Sequence, residues 1–285
     1  MTGEAAMAPT LAQALAGAGA LGLERLDAQM LLLHALGRAP HDRAWLLIHD
    51  DDRLGPDAAG RYRALCTRRA AGEPLAYLVG EKEFHGLALQ VDARVLVPRP
   101  DTETLVEWAL EVLAPRRTPR VIDLGTGSGA IALALQQARP DAQVEASDAS
   151  PDALAVAQAN ARRLGLAVRF RQANWLDGAA TGYDAVVSNP PYIAEGDTHL
   201  AALRHEPLGA LASGVDGLDD LRHLVRHAPA HLAPGGWLLL EHGHEQAEAV
   251  CALLRARGFG EVQSRPDLAG IARCSGGRWP EEAAP

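Results

Sequence analysis

Past Pro100 the chain alternates between short runs rich in Val, Ile and Leu and longer stretches rich in Ala and Leu. The short runs are Arg120–Leu124, Gln143–Ser147, Val168–Gln172, Ala185–Ser188 and Trp237–Glu241, with a late pair near Glu261–Ser264 and Gly270–Cys274. Strands separated by helices pair in parallel through crossovers, so this pattern predicts an α/β fold with a doubly wound sheet covered on both faces. The short interval between the last two runs predicts an antiparallel edge.

The preceding sequence obeys other rules. Between Thr10 and Gly72, apolar residues recur at helical spacing (Leu11 and Leu15; Leu23, Leu26, Met30 and Leu33; Tyr62 and Leu65). Gly37, Pro40, Gly55 and Pro56 interrupt them, which predicts a small helical bundle. From Gly80 to Pro100 the texture becomes alternating, with Phe84, Leu87, Leu89 and Val91, then Val95 and Val97 beyond Asp92-Ala93-Arg94. This predicts a short β-hairpin connector. The expected organisation is therefore a helical bundle over 1–77, a hairpin linker over 78–100 and the α/β domain over 101–285.

A chain of 285 residues with 48% hydrophobic content can bury a substantial core. Its 27 Lys and Arg against 36 Asp and Glu give a net charge of −9. That balance lacks the overall basic excess used to neutralise phosphates, so direct nucleic-acid binding is not expected. Cys66, Cys251 and Cys274 are widely spaced and form no CxxC pair, which argues against a disulfide framework or a zinc site and fits a reducing cytoplasm. The beginning of the chain, with Glu4 and no early Lys or Arg, lacks the pattern of a secretory signal. Apolar runs such as Met30–Leu33 and Trp237–Leu240 are too short to cross a bilayer. A soluble protein is expected, with a frayed tail over Glu281–Pro285.

Directly after the first α/β strand comes Val121-Ile122-Asp123-Leu124-Gly125-Thr126-Gly127-Ser128-Gly129, with a helix expected from Ala130. Glycines allow close backbone approach to a ligand, and a new helix offers free N–H groups. Gly125, Thr126, Gly127, Ser128 and Gly129 are therefore candidates for holding a nucleotide-like cofactor. The spacing also fits a dinucleotide loop, and a purely structural turn stays open. Asp148, closing the second strand, can accept hydrogen bonds from ribose hydroxyls or act as a helix cap. Beyond the third strand, Trp175 offers a flat face for an adenine ring, with Asn174 reading its edge, or simply packs in the core.

The fourth strand leads into Asn189-Pro190-Pro191-Tyr192. In an open α/β sheet this point lies beside the glycine loop. Two prolines stiffen the arc and remove two N–H donors, leaving carbonyl acceptors exposed. The Asn189 side-chain oxygen and the Pro190 carbonyl can each accept one N–H of a planar nitrogen, orienting its delocalised lone pair and stabilising charge that grows on it. Tyr192 can stack on the planar group or wall the pocket. A rigid turn is the alternative.

The tetrapeptide resembles the (Asp/Asn/Ser)-Pro-Pro-(Tyr/Phe/Trp) motif of methyltransferases that act on exocyclic amino groups of bases or on glutamine amides. Two further segments narrow the resemblance, Leu96-Val97-Pro98-Arg99-Pro100-Asp101-Thr102-Glu103 and Tyr77-Leu78-Val79-Gly80-Glu81-Lys82-Glu83-Phe84-His85-Gly86. With Asp27-Ala28-x-x-Leu31-Leu32, Glu206-Pro207-x-x-Ala210-Leu211 and Asp267-Leu268-Ala269-Gly270-x-x-Arg273, almost the whole chain is similar to the bacterial release factor glutamine N5-methyltransferases, the PrmC/HemK family.

The resemblance implies a Rossmann-like class I methyltransferase domain behind a helical bundle that recognises the release factor. It implies S-adenosylmethionine as cofactor, bound by Gly125 to Gly129, Asp148, Trp175 and Asn189. The implied substrate is the glutamine of the Gly-Gly-Gln loop of class I peptide chain release factors, with Asn189 and Pro190 catalytic and Asn189, Pro190, Pro191 and Tyr192 holding the amide. A cytoplasmic monomer without membrane contact is expected. Two departures stand out: Asn174, where relatives often have aspartate, and His85, where they often carry a larger aromatic.

Glutamine methylation of a ribosomal protein and N6-adenine methylation use a similar tetrapeptide. The Pro98–Glu103 form and the helical region favour the release-factor reading, and the acidic charge speaks against a nucleic-acid substrate. Arg99, Asp101, Thr102 and Glu103 either start a helix or support the site from behind. His242 and His244 have ligand-like spacing, but no carboxylate or cysteine pattern completes a metal site, and none is expected.

Overall fold

The computed structural model describes residues 8–281; the readings of Glu4 and of the tail beyond Glu281 lie outside it. The chain divides into two compact units, Met1–Gly80 and Glu81–Pro285.

The first unit is helical: α1 (Leu11–Ala20), α2 (Arg25–Ala35), α3 (Arg43–Ile48), α4 (Pro56–Ala70) and α5 (Leu75–Val79). Thr10 and Gln13 form a reciprocal capping box that starts α1, and Pro56 opens α4 where its missing N–H costs nothing. Leu31, Leu32 and Leu33 of α2 are fully buried, so α2 is the centre around which Leu11, Leu46, Leu54 and Tyr62 pack. The Tyr62 hydroxyl donates to the Ala28 carbonyl at 3.2 Å, which satisfies the one polar atom this aromatic carries into the core. Arg69 of α4 bonds Asp27 of α2 at 2.6 Å.

The second unit opens with a hairpin, β1 (Glu81–Phe84) and β2 (Leu87–Gln90). Its turn is His85-Gly86, with φ of 49° and 76°, rather than the expected Asp92-Ala93-Arg94. Two consecutive left-handed residues match the twist of a two-residue hairpin. Asp92–Val95 does form a turn, closed by Val95 N–H on the Asp92 carbonyl, but it comes after the hairpin. Phe84, Leu87 and Leu89 join the main core, so the hairpin is packed within this unit.

The remainder follows as α6 (Glu103–Leu113), β3 (Arg120–Leu124), α7 (Ala130–Ala138), β4 (Gln143–Asp148), α8 (Pro151–Leu164), β5 (Arg169–Gln172), β6 (Tyr183–Ser188), α9 (Asp219–His227), β7 (Leu232–Glu241), α10 (Ala247–Arg257), β8 (Gly260–Pro266) and β9 (Ala272–Arg278). The seven-stranded sheet runs β5-β4-β3-β6-β7-β9-β8. Strands β3 to β7 are mutually parallel, and β9 lies antiparallel between β7 and β8. Strand order reverses after β3, so the carboxyl ends of β3 and β6 border the crevice where such sheets bind ligands.

Side-chain alternation divides the interior. Val121, Ala185, Val187 and Leu239 face one layer with Leu105, Trp108 and Leu133, whereas Ile122, Val186, Leu238 and Leu240 face the other with Leu221, Leu224 and Leu254. Strand β9 starts later than the sequence suggests and runs through Gly276-Gly277. Asp267 explains the start: its Oδ1 accepts the N–H groups of Ala269 and Ile271, holding that segment as a turn. The glycines are explained by crowding. A Cβ on Gly276 would sit 2.6 Å from Leu239, 2.7 Å from the Leu238 carbonyl and 3.0 Å from Trp108. Gly276→Ala is therefore expected to lower unfolding free energy by about 1–3 kcal/mol, read as a lower midpoint in denaturant titration with unchanged slope.

Candidate active site

Gly125, Gly127 and Gly129 all have positive φ, at 69°, 55° and 86°. At Gly125 the demand is double, because a Cβ would lie 3.2 Å from the Trp175 ring. Below this loop, Asp123 is 1% exposed, and its Oδ2 accepts the Thr126 hydroxyl at 2.6 Å and the Ala132 N–H at 3.3 Å. Burial pushes the Asp123 carboxyl up to about 7, against those hydrogen bonds. Asp123 thus ties β3, the loop and the start of α7 together.

Asp148 ends β4 and faces the same loop. Its Oδ2 accepts the Gly127 N–H at 2.9 Å and its Oδ1 the Ser150 N–H at 2.9 Å. The cap of α8 is Ser150, whose hydroxyl oxygen accepts the Ala153 N–H at 3.2 Å. A carboxylate has about four acceptor positions, so two protein donors leave Asp148 able to accept from a ligand. Trp175 adopts a left-handed φ of 51°, and its carbonyl accepts the Ser147 hydroxyl at 3.2 Å. The ring both borders the cleft and packs against the second core layer.

A cleft of about 370 Å³ opens here. Of the residues singled out from sequence, Gly125, Gly127, Asp148, Asn174, Trp175, Asn189 and Pro191 line it. Thr126, Ser128 and Gly129 stand behind the cleft wall. Thr126 and Ser128 are buried, the Ser128 carbonyl accepts the Asn160 Nδ2–H at 3.0 Å, and a Cβ on Gly129 would sit 3.0 Å from Leu133 and 3.2 Å from Ala157. Asn160 also accepts the Gln90 N–H at 2.7 Å and donates to the Gln90 carbonyl at 3.0 Å, joining α8 to the hairpin.

Ser188 closes β6 and donates to the Leu124 carbonyl at 2.7 Å, which holds the proline arc beside the glycine loop. The arc is braced from beyond: Gln246 donates to the Tyr192 carbonyl at 3.0 Å, and the Tyr192 N–H bonds the Leu211 carbonyl at 3.2 Å. Gly217 passes so close that a Cβ there would lie 2.2 Å from the Tyr192 carbonyl. Tyr192 is half-buried, and burial raises its hydroxyl pKa far above neutrality.

The Pro98–Glu103 segment distributes its side chains. Glu103 accepts the His85 N–H at 3.0 Å and so fixes the hairpin turn, whose His85 ring also meets Glu107 at 2.6 Å. Arg99 pairs with Glu206, which in addition accepts the Val97 N–H at 3.0 Å. Asp101 lies 3.6 Å from Arg273. Thr102 does not cap α6; its Oγ1 accepts the Asn189 Nδ2–H at 3.3 Å.

Arg94, Val95, Leu96, Pro207 and Ala210 also line the cleft and were not assigned there from sequence. Glu206-Pro207-x-x-Ala210 belonged to the resemblance, and the Arg99–Glu206 pair shows what it does structurally. His242 is fully buried, its Nε2 2.7 Å from the Ser275 hydroxyl, while His244 lies on the surface beside Glu245. Among the described residues no group of three or more His, Cys, Asp or Glu is arranged to hold a metal ion, and no helix is long and apolar enough to cross a membrane.

Both units of the chain resemble known proteins. Residues 102–206 match the Methyltransferase small domain and residues 10–80 the PrmC N-terminal domain. The release factor glutamine methyltransferase of Bordetella pertussis is 54% identical over 260 residues, covering 90% of this chain and 95% of that protein. The one from Xylella fastidiosa (strain Temecula1) is 50% identical over 271 residues, covering 94% and 98%. In fold, the chain is similar to the T. thermophilus 16S rRNA N2 G1207 methyltransferase solved with AdoMet and guanosine, with TM-score 0.53, 20% identity, and 70% of this chain and 49% of that one covered. With its methyltransferase sheet, its helical first unit and half its residues shared over nearly full length, the chain belongs to the family of release factor glutamine methyltransferases.

Proposed function

We propose that this enzyme transfers the methyl group of S-adenosylmethionine to the side-chain amide nitrogen of the glutamine in the Gly-Gly-Gln loop of class I peptide chain release factors. The observation that carries the reading is that Gly125, Asp148, Trp175, Asn189 and Pro191 line one and the same cleft. The residues fit the cofactor: a left-handed glycine allows close approach, a carboxylate keeps lone pairs for ribose hydroxyls, and an aromatic face borders the space where adenine would lie. Gly125 and Gly127 would form the near wall of the site, while Thr126, Ser128 and Gly129 hold that wall in shape. Bound S-adenosylmethionine supplies an electrophilic methyl group on a sulfonium sulfur.

The chain's own contribution is positioning. An amide nitrogen is a poor nucleophile because its lone pair is shared with the carbonyl. Two acceptors, Asn189 Oδ1 and the Pro190 carbonyl, would take its two N–H groups and turn the lone pair toward the methyl carbon. The same oxygens would face the positive charge arising on nitrogen as it takes up the methyl group and would stabilise it until one N–H proton is released to solvent. Pro190 and Pro191 present no competing N–H, and Tyr192 would wall the planar amide. The first unit would recognise the release factor, which is a protein and makes no demand for a basic surface. A translation factor as substrate places the enzyme in the cytoplasm, and we infer that it acts there as a monomer.

Labelled S-adenosylmethionine is expected to label an intact release factor, and Gln→Ala in its Gly-Gly-Gln loop to abolish the label; transfer to DNA instead would overturn the proposal. Asn189→Ala is expected to slow single-turnover methylation by about 100-fold while cofactor affinity, measured by titration, changes by no more than about twofold. Equal loss of both would assign Asn189 to the fold rather than to substrate.

A further inference from the structure

The carboxyl end of β7 carries an acid that the mechanism above does not use. Glu241 is 1% exposed, and its Oε2 has no hydrogen-bond partner among the described residues. Ser188 pairs with Leu240 in the β6–β7 register, so Asn189 and Glu241 leave the sheet side by side. Thr102, itself 4% exposed, joins them: its Oγ1 receives the Asn189 Nδ2–H, and both side chains favour the ionised form of the Glu241 carboxyl.

Hydrogen-bond polarity gives this cluster a direction. A carboxylate only accepts, a hydroxyl has one proton, and a side-chain amide has one accepting and one donating end. With Glu241 ionised, the Thr102 proton and the Asn189 NH2 group are both drawn toward the acid. The remaining end of the Asn189 amide, Oδ1, then faces the cleft that Asn189 lines. A protonated acid can donate instead, which permits the reverse chain: Thr102 donates to Oδ1 and the NH2 group turns into the cleft. That arrangement would set N–H against N–H at the substrate.

We propose that Glu241 is a positioning residue whose ionised carboxylate, acting with Thr102, sets the direction of the Asn189 side-chain amide and so keeps its oxygen turned to the substrate. The proposal rests on the reading that Asn189 Oδ1 accepts a substrate N–H.

The surroundings allow the acid to switch near neutrality. Burial pushes Glu241 up to about 7 and Asp101 adds to the rise, against Thr102, Arg273 and Asn189. Burial raises the Tyr192 hydroxyl and the Cys274 thiol far above neutrality and lowers His242, while Arg273 is paired with Asp267 and Asp101. Because the ionised form is the productive one, methyl transfer rises as pH passes upward through this value and falls below it.

Single-turnover methylation of an intact release factor, followed from about pH 5.5 to about pH 9 in wild type, Glu241→Gln, Thr102→Val, Thr102→Ser and Asn189→Ala, tests this. Wild type is expected to show a rising limb centred near neutral pH. Glu241→Gln, nearly isosteric, loses that limb and stays below the wild-type plateau, because its amide satisfies either polarity. Thr102→Val falls by about 100-fold and Thr102→Ser returns to within about threefold of wild type, with S-adenosylmethionine affinity unchanged in the Glu241 and Thr102 variants. Wild-type limb and plateau in Glu241→Gln, or a wild-type rate in Thr102→Val, overturn the proposal. If Asn189→Ala is then slow, the reading of Asn189 stands without it; if Asn189→Ala is as fast as wild type, both fall. Should Glu241→Gln fail to fold, the Thr102 pair still decides, since a packing role would not distinguish hydroxyl from methyl and then be rescued by serine.

Discussion

The structure of the second unit depends on a backbone that could not hold its shape unaided. Three left-handed glycines within five residues form a loop in which only Thr126 and Ser128 carry side chains. Two carboxylates supply the lock: Asp123 from below, through Thr126 and Ala132, and Asp148 from the side, through Gly127. Asp148 also holds the start of α8 through Ser150, so the first two βα connections are joined at one side chain. Everything proposed for the cleft presupposes this rigidity, because a loop of glycines free to move would lose conformational entropy on binding.

The desolvation that makes these anchors firm also makes them expensive. Asp123 and Glu241 are both at least partly unsatisfied, each with one oxygen lacking a partner, and burial raises the pKa of both. A protein interior normally avoids such groups. They lie at the carboxyl ends of the two strands that flank β6, Asp123 one residue before the end of β3 and Glu241 as the last residue of β7, and β6 leads into Asn189-Pro190-Pro191-Tyr192. Buried acids at the edge of a cleft are where perturbed ionisation and chemistry tend to coincide.

Much of this was legible in the sequence because the rules involved are local. Strand and helix alternation announced the sheet, and its late antiparallel pair followed from spacing alone. The glycine loop, Asp148 and the proline arc were visible since each is a backbone device written in consecutive residues or at a fixed interval. The roles of Thr102, Glu206 and Asn160 were hidden because they are partnerships across 87, 109 and 70 residues, respectively. No periodicity encodes such pairs. The hairpin turn was misplaced for a different reason: His85 is an unusual residue at positive φ, and Asp92-Ala93-Arg94 carries the stronger turn chemistry. Glu103 supplies what local propensity lacks by binding the His85 N–H.

Asn160 has a consequence of its own. Its amide takes both the N–H and the carbonyl of Gln90, the pairing a neighbouring strand would otherwise provide, and gives its remaining proton to the Ser128 carbonyl. One side chain thus closes the end of the hairpin and grips the glycine loop with the same rigid plane. Because that plane cannot rotate without releasing one contact, the hairpin and the loop share a single mechanical joint, and a force applied to the first is delivered to the second.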